Sequence, residues 1–239
     1  MISLIKKELA AFFSSPVGYL VIGLFLVANG LLMWVFKSEF NILDSGFADL
    51  NPFFTLSPWL FFFLIPAITM RSFVDEKSLG TYELLKTKPL TTAHLVLGKY
   101  FGALLLIILA ILPSILYVYS INKLANPTGN IDLGPIIGAY LGLIFIASSY
   151  TAIGLFASAV SQNQIVAFLI AILICVLFYF GFDALANLPL FNGFHLDLMG
   201  MKNHYSSIAR GVIDTRDLIY FASISLIFIA ITHKIVDTH

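Results

Sequence analysis

Charge is scarce in this chain. Of 239 residues 11% are charged, thirteen basic against thirteen acidic, and the formal net charge is zero. A soluble domain carries about 25% charged residues, so a water-facing globule of this composition is excluded as the economical reading. The even balance leaves no basic footprint for nucleic acid. Cysteine is nearly absent: Cys175 stands alone inside an apolar run, which rules out a disulfide within the chain and reads as a small buried hydrophobe. No Gly-x-x-x-x-Gly-Lys-Ser/Thr occurs. Gly98-Lys99 is followed by Tyr100 and lacks the glycine loop before it, so the chain does not cradle nucleotide phosphates, and any hydrolysis must come from another polypeptide. Lys6 and Lys7 precede an apolar run too long for a cleavable signal peptide, with no small-residue cleavage site after it. A serine nucleophile elbow and paired intramembrane carboxylates are also missing, which gives intramembrane proteolysis little support. Asp183, His195, Asp197 and His204 share one loop but show no metal-ligand spacing; no metal is expected there, and the histidines read as solvated.

Long apolar runs are what the chain does have. Hydrophobic residues make up 59%, mean hydropathy is +0.96, and there are 23 Phe. Six stretches approach the roughly 20 residues that cross a bilayer: 17–36, 54–70, 100–120, 135–160, 165–182 and 218–235. The fold class expected is all-α, a polytopic membrane protein with six transmembrane helices. Ser15-Pro16 and Ser57-Pro58 offer caps with first-turn prolines, and Pro66 and Pro113 should kink their spans. Apart from Lys234 at the very end of the sixth, the six stretches contain no Asp, Glu, Lys or Arg, which argues against an ion-coupled carrier, because such proteins place ionisable groups within the bilayer. Eight Lys and Arg fall on one side (Lys6, Lys7, Arg71, Lys77, Lys86, Lys88, Lys99, Lys234) and five on the other (Lys37, Lys123, Lys202, Arg210, Arg216). The basic side is expected to be cytoplasmic, with both termini inside.

Residues 1–15 read as an amphipathic helix, with Ile2, Ile5, Leu9 and Phe12 recurring at helical spacing and Ser3, Lys6, Lys7 and Ser14 away from them. It should lie in the inner interface, its lysines toward anionic headgroups of the membrane lipid. Gly134, Gly138 and Gly142, continued by Ala147, Thr151, Gly154 and Ser158, give the fourth span a small-residue face. That face suits close helix packing, within the chain, at a dimer seam or along a transport path. Asn29 and the Ser148-Ser149-Tyr150-Thr151 cluster read as interhelical hydrogen-bonding groups. The loop 183–217 is long. Its apolar residues suggest short re-entrant helices in the outer leaflet, and Tyr205, Ile208, Ala209 and Val212 share one side of its second half.

The one compact charged stretch lies between the second and third spans. Gly80 should break the helix that carries Glu76; Thr81-Tyr82-Glu83-Leu84-Leu85 reads as a short helix stopped at Pro89, and Thr91 caps the next helix. Exposed Tyr82, Leu84 and Leu85 suit a cleft on a partner, with Glu83 and Lys86 setting orientation. Glu76-Lys-Ser-Leu-Gly80-Thr-Tyr-Glu83-Leu-Leu-x-x-x-Pro89-Leu-Thr resembles the coupling-helix signature of ABC-2 type transport permeases. The opening Lys6-Lys-Glu8 through Phe12 to Ser15-Pro16 and Tyr19 is similar to that family's elbow helix. With Arg210 to Tyr220 leading into the last span, the whole chain is similar to the family's gliding-motility permease subunits. The resemblance implies one ABC-2 transmembrane domain over residues 1–239, with elbow helix 1–15, cytoplasmic coupling loop 71–99 and extracytoplasmic loop 183–217. It further implies an inner-membrane subunit, paired with a second permease subunit, that takes force from a cytoplasmic ABC ATPase. The ATP and Mg2+ would be bound by that partner and no cofactor by this chain; an additional envelope protein is a further expected partner. Two other classes stay open, a non-transporting membrane scaffold and an ATP-independent channel or carrier.

Overall fold

The computed structural model describes residues 2–80, 91–189 and 196–238. Within them every regular element is helical. Helix α1 (Ile2–Phe13) is followed at once by α2 (Pro16–Trp34), where Ser15 accepts a hydrogen bond from the Val17 amide (3.3 Å) and Pro16 fills the first turn. A short α3 (Ile42–Ser45) is capped by Asn41, which accepts from the Leu43 and Asp44 amides at 2.9 and 3.1 Å. The second span starts at α4 (Asn51–Thr69), not at Ser57-Pro58: Pro52 takes the first turn, Asp49 accepts from the Asn51 amide (3.0 Å), and Ser57 and Pro58 are buried in mid-helix.

After Met70 the same span continues as α5 (Arg71–Ser78) and stops where Gly80 adopts φ 65°. Thr91 caps α6 (Thr92–Ile111), accepting from the His94 amide at 3.3 Å. Pro113 interrupts this span with a 3-10 turn before α7 (Ile115–Leu124). Asp132 caps α8 (Leu133–Val160) and Asn163 caps α9 (Gln164–Val176). The fifth span winds on through a π-type stretch, Leu177–Gly181, into α10 (Phe182–Ala186), so Asp183 belongs to that span rather than to the loop beyond it. A 3-10 turn (Leu196–Met199), α11 (Met201–Ala209) and α12 (Thr215–Thr238) complete the described chain.

Among the described residues six helical runs are long and apolar enough to cross a membrane: Pro16–Trp34, Asn51–Ser78, Thr92–Leu124, Leu133–Val160, Gln164–Ala186 and Thr215–Thr238. The second and fourth are the most buried and make the centre of the bundle. Helix α8 packs against α12, α4, α9 and α11. Around it Phe53, Phe61, Ile65, Ile107, Leu143, Ile146 and Tyr150 form the core. The outer faces carry apolar side chains with nothing over them, Tyr19, Leu20 and Leu24 on α2 and Ile165, Leu169 and Leu173 on α9. Such surfaces suit lipid rather than water. The chain is an all-α, multi-pass membrane protein.

Candidate functional site

The charged residues that the sequence sets at the edges of the second and third spans come together at the face carrying both termini. Helix α1 lies on α6 because two glycines leave it room. A Cβ at Gly98 would come within 2.4 Å of Leu4 Cδ2, and one at Gly102 within 3.0 Å of Glu8 Cβ. Between those glycines Lys99 turns inward, its side chain 1% exposed. Its ammonium donates to Glu76 Oε1 on α5 (2.8 Å), to Glu8 Oε1 on α1 (3.2 Å) and to the Ser72 carbonyl (2.6 Å). It also sits 5.1 Å from the centre of the Phe73 ring. All three donors are used, and the ion is paired as burial requires. Lys7 adds a partly exposed ion pair to Glu76 at 3.4 Å. One ammonium thus clamps three helices.

Helix α5 is held from its other side by α8 and α9. At the α4–α5 junction the first amides of α5 would be orphaned. Ser158 Oγ accepts from the Phe73 and Val74 amides (3.0 and 3.4 Å) and donates to the Met70 carbonyl (3.0 Å). Lys77 donates to the Ala159 carbonyl, and Gln164 donates to Asp75 Oδ1 at 2.5 Å. On α6, Thr92 donates to Asp237 of α12 at 2.9 Å. The end of α5 and the start of α6 are therefore both anchored to the bundle. The second and third spans run beyond the expected 54–70 and 100–120: Arg71, Asp75, Glu76, Lys77 and Lys99 lie inside span helices, and neighbouring helices supply partners to Asp75, Glu76, Lys77 and Lys99.

Of the residues singled out from the sequence, Glu76 is in this cluster and Gly80 ends α5. Thr81, Tyr82, Glu83, Leu84, Leu85 and Pro89 lie outside the described residues, as does His195. Lys6 is exposed on α1, and Phe12 packs on Gly18 and edge-on against Phe13 at 5.8 Å. The buried stripe of α1 runs through Leu4, whereas Ile2 is exposed; the glycines of α6 decide this, since they accept Leu4 and Glu8. Lys99, Glu8 and Ser158 carry the geometry, although the sequence marked them only as one basic residue of the cytoplasmic side, part of the elbow-helix resemblance and part of a small-residue face. The signal that could have found Lys99 is its place inside Gly98-x-x-x-Gly102.

The small residues of α8 face three other parts of the chain. A Cβ on Gly138 would lie 2.5 Å from the Ile208 carbonyl, one on Gly142 2.9 Å from the Tyr205 ring, and one on Gly154 2.1 Å from Thr69 Oγ1. Ser148 and Ser149 hydrogen-bond Ser225 of α12, and Ser148 also bonds Tyr100 at 2.6 Å. Asn29 instead donates to Phe25 within its own helix. At the opposite end of the molecule α11 is latched to the bundle. The Tyr205 hydroxyl donates to the Phe54 carbonyl at 2.7 Å, and burial pushes this phenol well above its usual range. Val212, expected on the same side, is exposed. His204 is not a solvated loop histidine: Nδ1 lies 2.6 Å from the buried Asp217, Nε2 lies 2.8 Å from the Leu198 carbonyl, and the ring stacks on Tyr220 at 3.9 Å. Asp183 pairs separately with Lys202 at 3.1 Å. Among the described residues no three His, Cys, Asp or Glu side chains gather as metal ligands.

No curated protein matches the chain. A family model described as ABC-2 family transporter protein matches residues 4–213, from the first turn of α1 to just before α12. That match takes in the clamp of Glu8, Glu76 and Lys99, and the chain belongs to the ABC-2 transporter family as a multi-pass permease subunit.

Proposed function

We propose that this permease subunit is driven by ATP hydrolysis in a separate cytoplasmic ABC ATPase that docks on residues 81–90, and that it works in the inner membrane as a dimer with an identical or related subunit. The single observation that supports this reading is the clamp flanking that segment. Residues 79–91 leave α5 and enter α6 between helices tied together by Lys99, Glu76 and Glu8. Ser158, Lys77 and Asp75 carry any tilt of α5 into α8 and α9, the fourth and fifth spans. A push on the docking segment is then transmitted as movement of packed helices rather than absorbed by a slack loop. In this reading the coupling contacts are Glu76, Gly80, Thr81, Tyr82, Glu83, Leu84, Leu85 and Pro89, and both termini face the cytoplasm. ATP and Mg2+ belong to the partner.

The test is co-purification of the tagged chain with its ATPase in mild detergent. Glu83→Arg should cut the recovered ATPase by about tenfold, the effect of reversing one orienting charge at an interface, while membrane insertion stays intact. Normal recovery would count against docking at this segment. A role in gliding motility, with an additional envelope protein in the assembly, is the finer form of the proposal; a deletion strain that glides normally would remove it.

A further inference from the structure

A cavity of about 340 Å³ opens beside the clamp, between α1, α4, α5 and α6. It falls within the range of about 300–1,000 Å³ that small ligands occupy. Val17, Ala67, Ile68, Ala103 and Leu106 give it an apolar lining. Its rim is charged. Glu8 and Glu76 on that rim both pair with Lys99, and Asp75 accepts the Gln164 amide. Arg71 is different: its Nε is buried and hydrogen-bonds to nothing among the described residues. A buried guanidinium N–H left so is costly, and an anionic oxygen is the natural group to remove that cost. Lys7, half-exposed on the same rim, adds a second positive charge. The height of the mouth matters as well. On one side α2 presents exposed Tyr19 and Leu20; on the other Lys6 and Ser78 are exposed. The cavity therefore sits where an apolar belt gives way to a polar face, the level of the headgroups in a bilayer.

We propose that this cavity holds one glycerophospholipid of the adjoining leaflet, its phosphate on Arg71 and Lys7 and the start of an acyl chain along Ala67, Ala103 and Leu106. The occupant bridges α1 to α5 beside the Lys99 clamp, and its presence does not depend on how the permease is powered. The probe is a set of nanodiscs containing the full chain with phosphatidylglycerol, phosphatidylcholine or diacylglycerol, followed by detergent extraction and native mass spectrometry. Either phospholipid should be retained at about one per chain and diacylglycerol lost. Arg71→Gln should lower retention about tenfold, as loss of a charge-assisted bond does, and Lys7→Gln by less. If Arg71→Gln fails to give monodisperse protein, Ala67→Leu decides: its side chain grows into the cavity and should expel lipid with Arg71 in place. Retention of diacylglycerol equal to phospholipid, undiminished retention by either Arg71→Gln or Ala67→Leu, or binding of inorganic phosphate with no lipid retained would each overturn the proposal.

Discussion

At the scale of single residues, Lys99 carries the sharpest consequence. Its ammonium pairs with Glu8 of α1 at 3.2 Å and with Glu76 of α5 at 2.8 Å, closer than Lys7 comes to Glu76 at 3.4 Å. Removing one member of a buried ion cluster leaves its partners charged in a place water barely reaches, a loss of about 3–5 kcal/mol. Lys99→Met should therefore lower the melting temperature of the detergent-purified chain clearly. The triple change Lys99→Met, Glu8→Gln and Glu76→Gln should recover part of the loss, because the stranded carboxylates are gone. A Lys99→Met protein that melts like the wild type would remove the clamp as a stabilising element. This cluster was hard to read from sequence for a physical reason. Glu76 and Glu8 lie 23 and 91 positions from Lys99, and no local period joins positions so far apart. The helix caps were legible, since Ser15 and Thr91 act on amides two or three residues away. Ser57-Pro58 misled because the same dipeptide also fits a buried mid-helix site, where tertiary packing outweighs the local signal.

At the scale of elements, α8 is the spine, and its glycines set how near other helices come. Gly138 and Gly134 look alike in sequence, four residues apart. In the fold they differ. A Cβ at Gly138 meets the Ile208 backbone carbonyl at 2.5 Å, whereas one at Gly134 meets only Asp132 Oδ1 at 3.4 Å. Backbone cannot rotate away as a side chain can. Gly138→Ala should then displace α11 and destabilise the chain by about 1–3 kcal/mol, the range for overpacking. Gly134→Ala should be near neutral. Thermal unfolding of the two variants side by side checks this, and equal melting temperatures would mean that α11 does not rest on α8. The small-residue period was readable in advance; its partner was not, because α11 is joined to α8 only through the fifth span and a long connection. The spans themselves were readable because each has enough consecutive apolar residues, and the errors fell at their ends. There Arg71 to Ser78 stay helical through bonds to α1, α8 and α9 that a hydropathy window does not contain.

At the scale of the whole molecule, the contacts themselves sort the connections into two ends. Glu8 meets Lys99, Thr92 meets Asp237, and Lys77 meets Ala159. The N-terminal helix, both sides of the segment after α5, the α8–α9 turn and the C-terminus thus share one face. Tyr205 on Phe54 and the Gly138–Ile208 approach gather the other connections opposite. Six spans require this sorting, since an even number returns the chain to its starting side. Among the described residues the face with both termini also holds the larger share of Lys and Arg, and the proposed orientation, which follows the positive-inside rule, turns it to the cytoplasm. Thiol labelling decides it well here, because Cys175 is fully buried and contributes little background. Single cysteines at Ser78 and at Leu198, both exposed, should respond oppositely to a membrane-impermeant maleimide. In intact cells from which any outer barrier has been removed, Leu198→Cys should label and Ser78→Cys should not; in inside-out vesicles the pattern should reverse. Labelling of Ser78→Cys from outside would put the docking segment beyond the reach of any cytoplasmic ATPase, and the ATP-driven reading would fail with it. Labelling of both from one side would break the six-span topology itself, a deeper failure, because the helical packing at each end depends on that count.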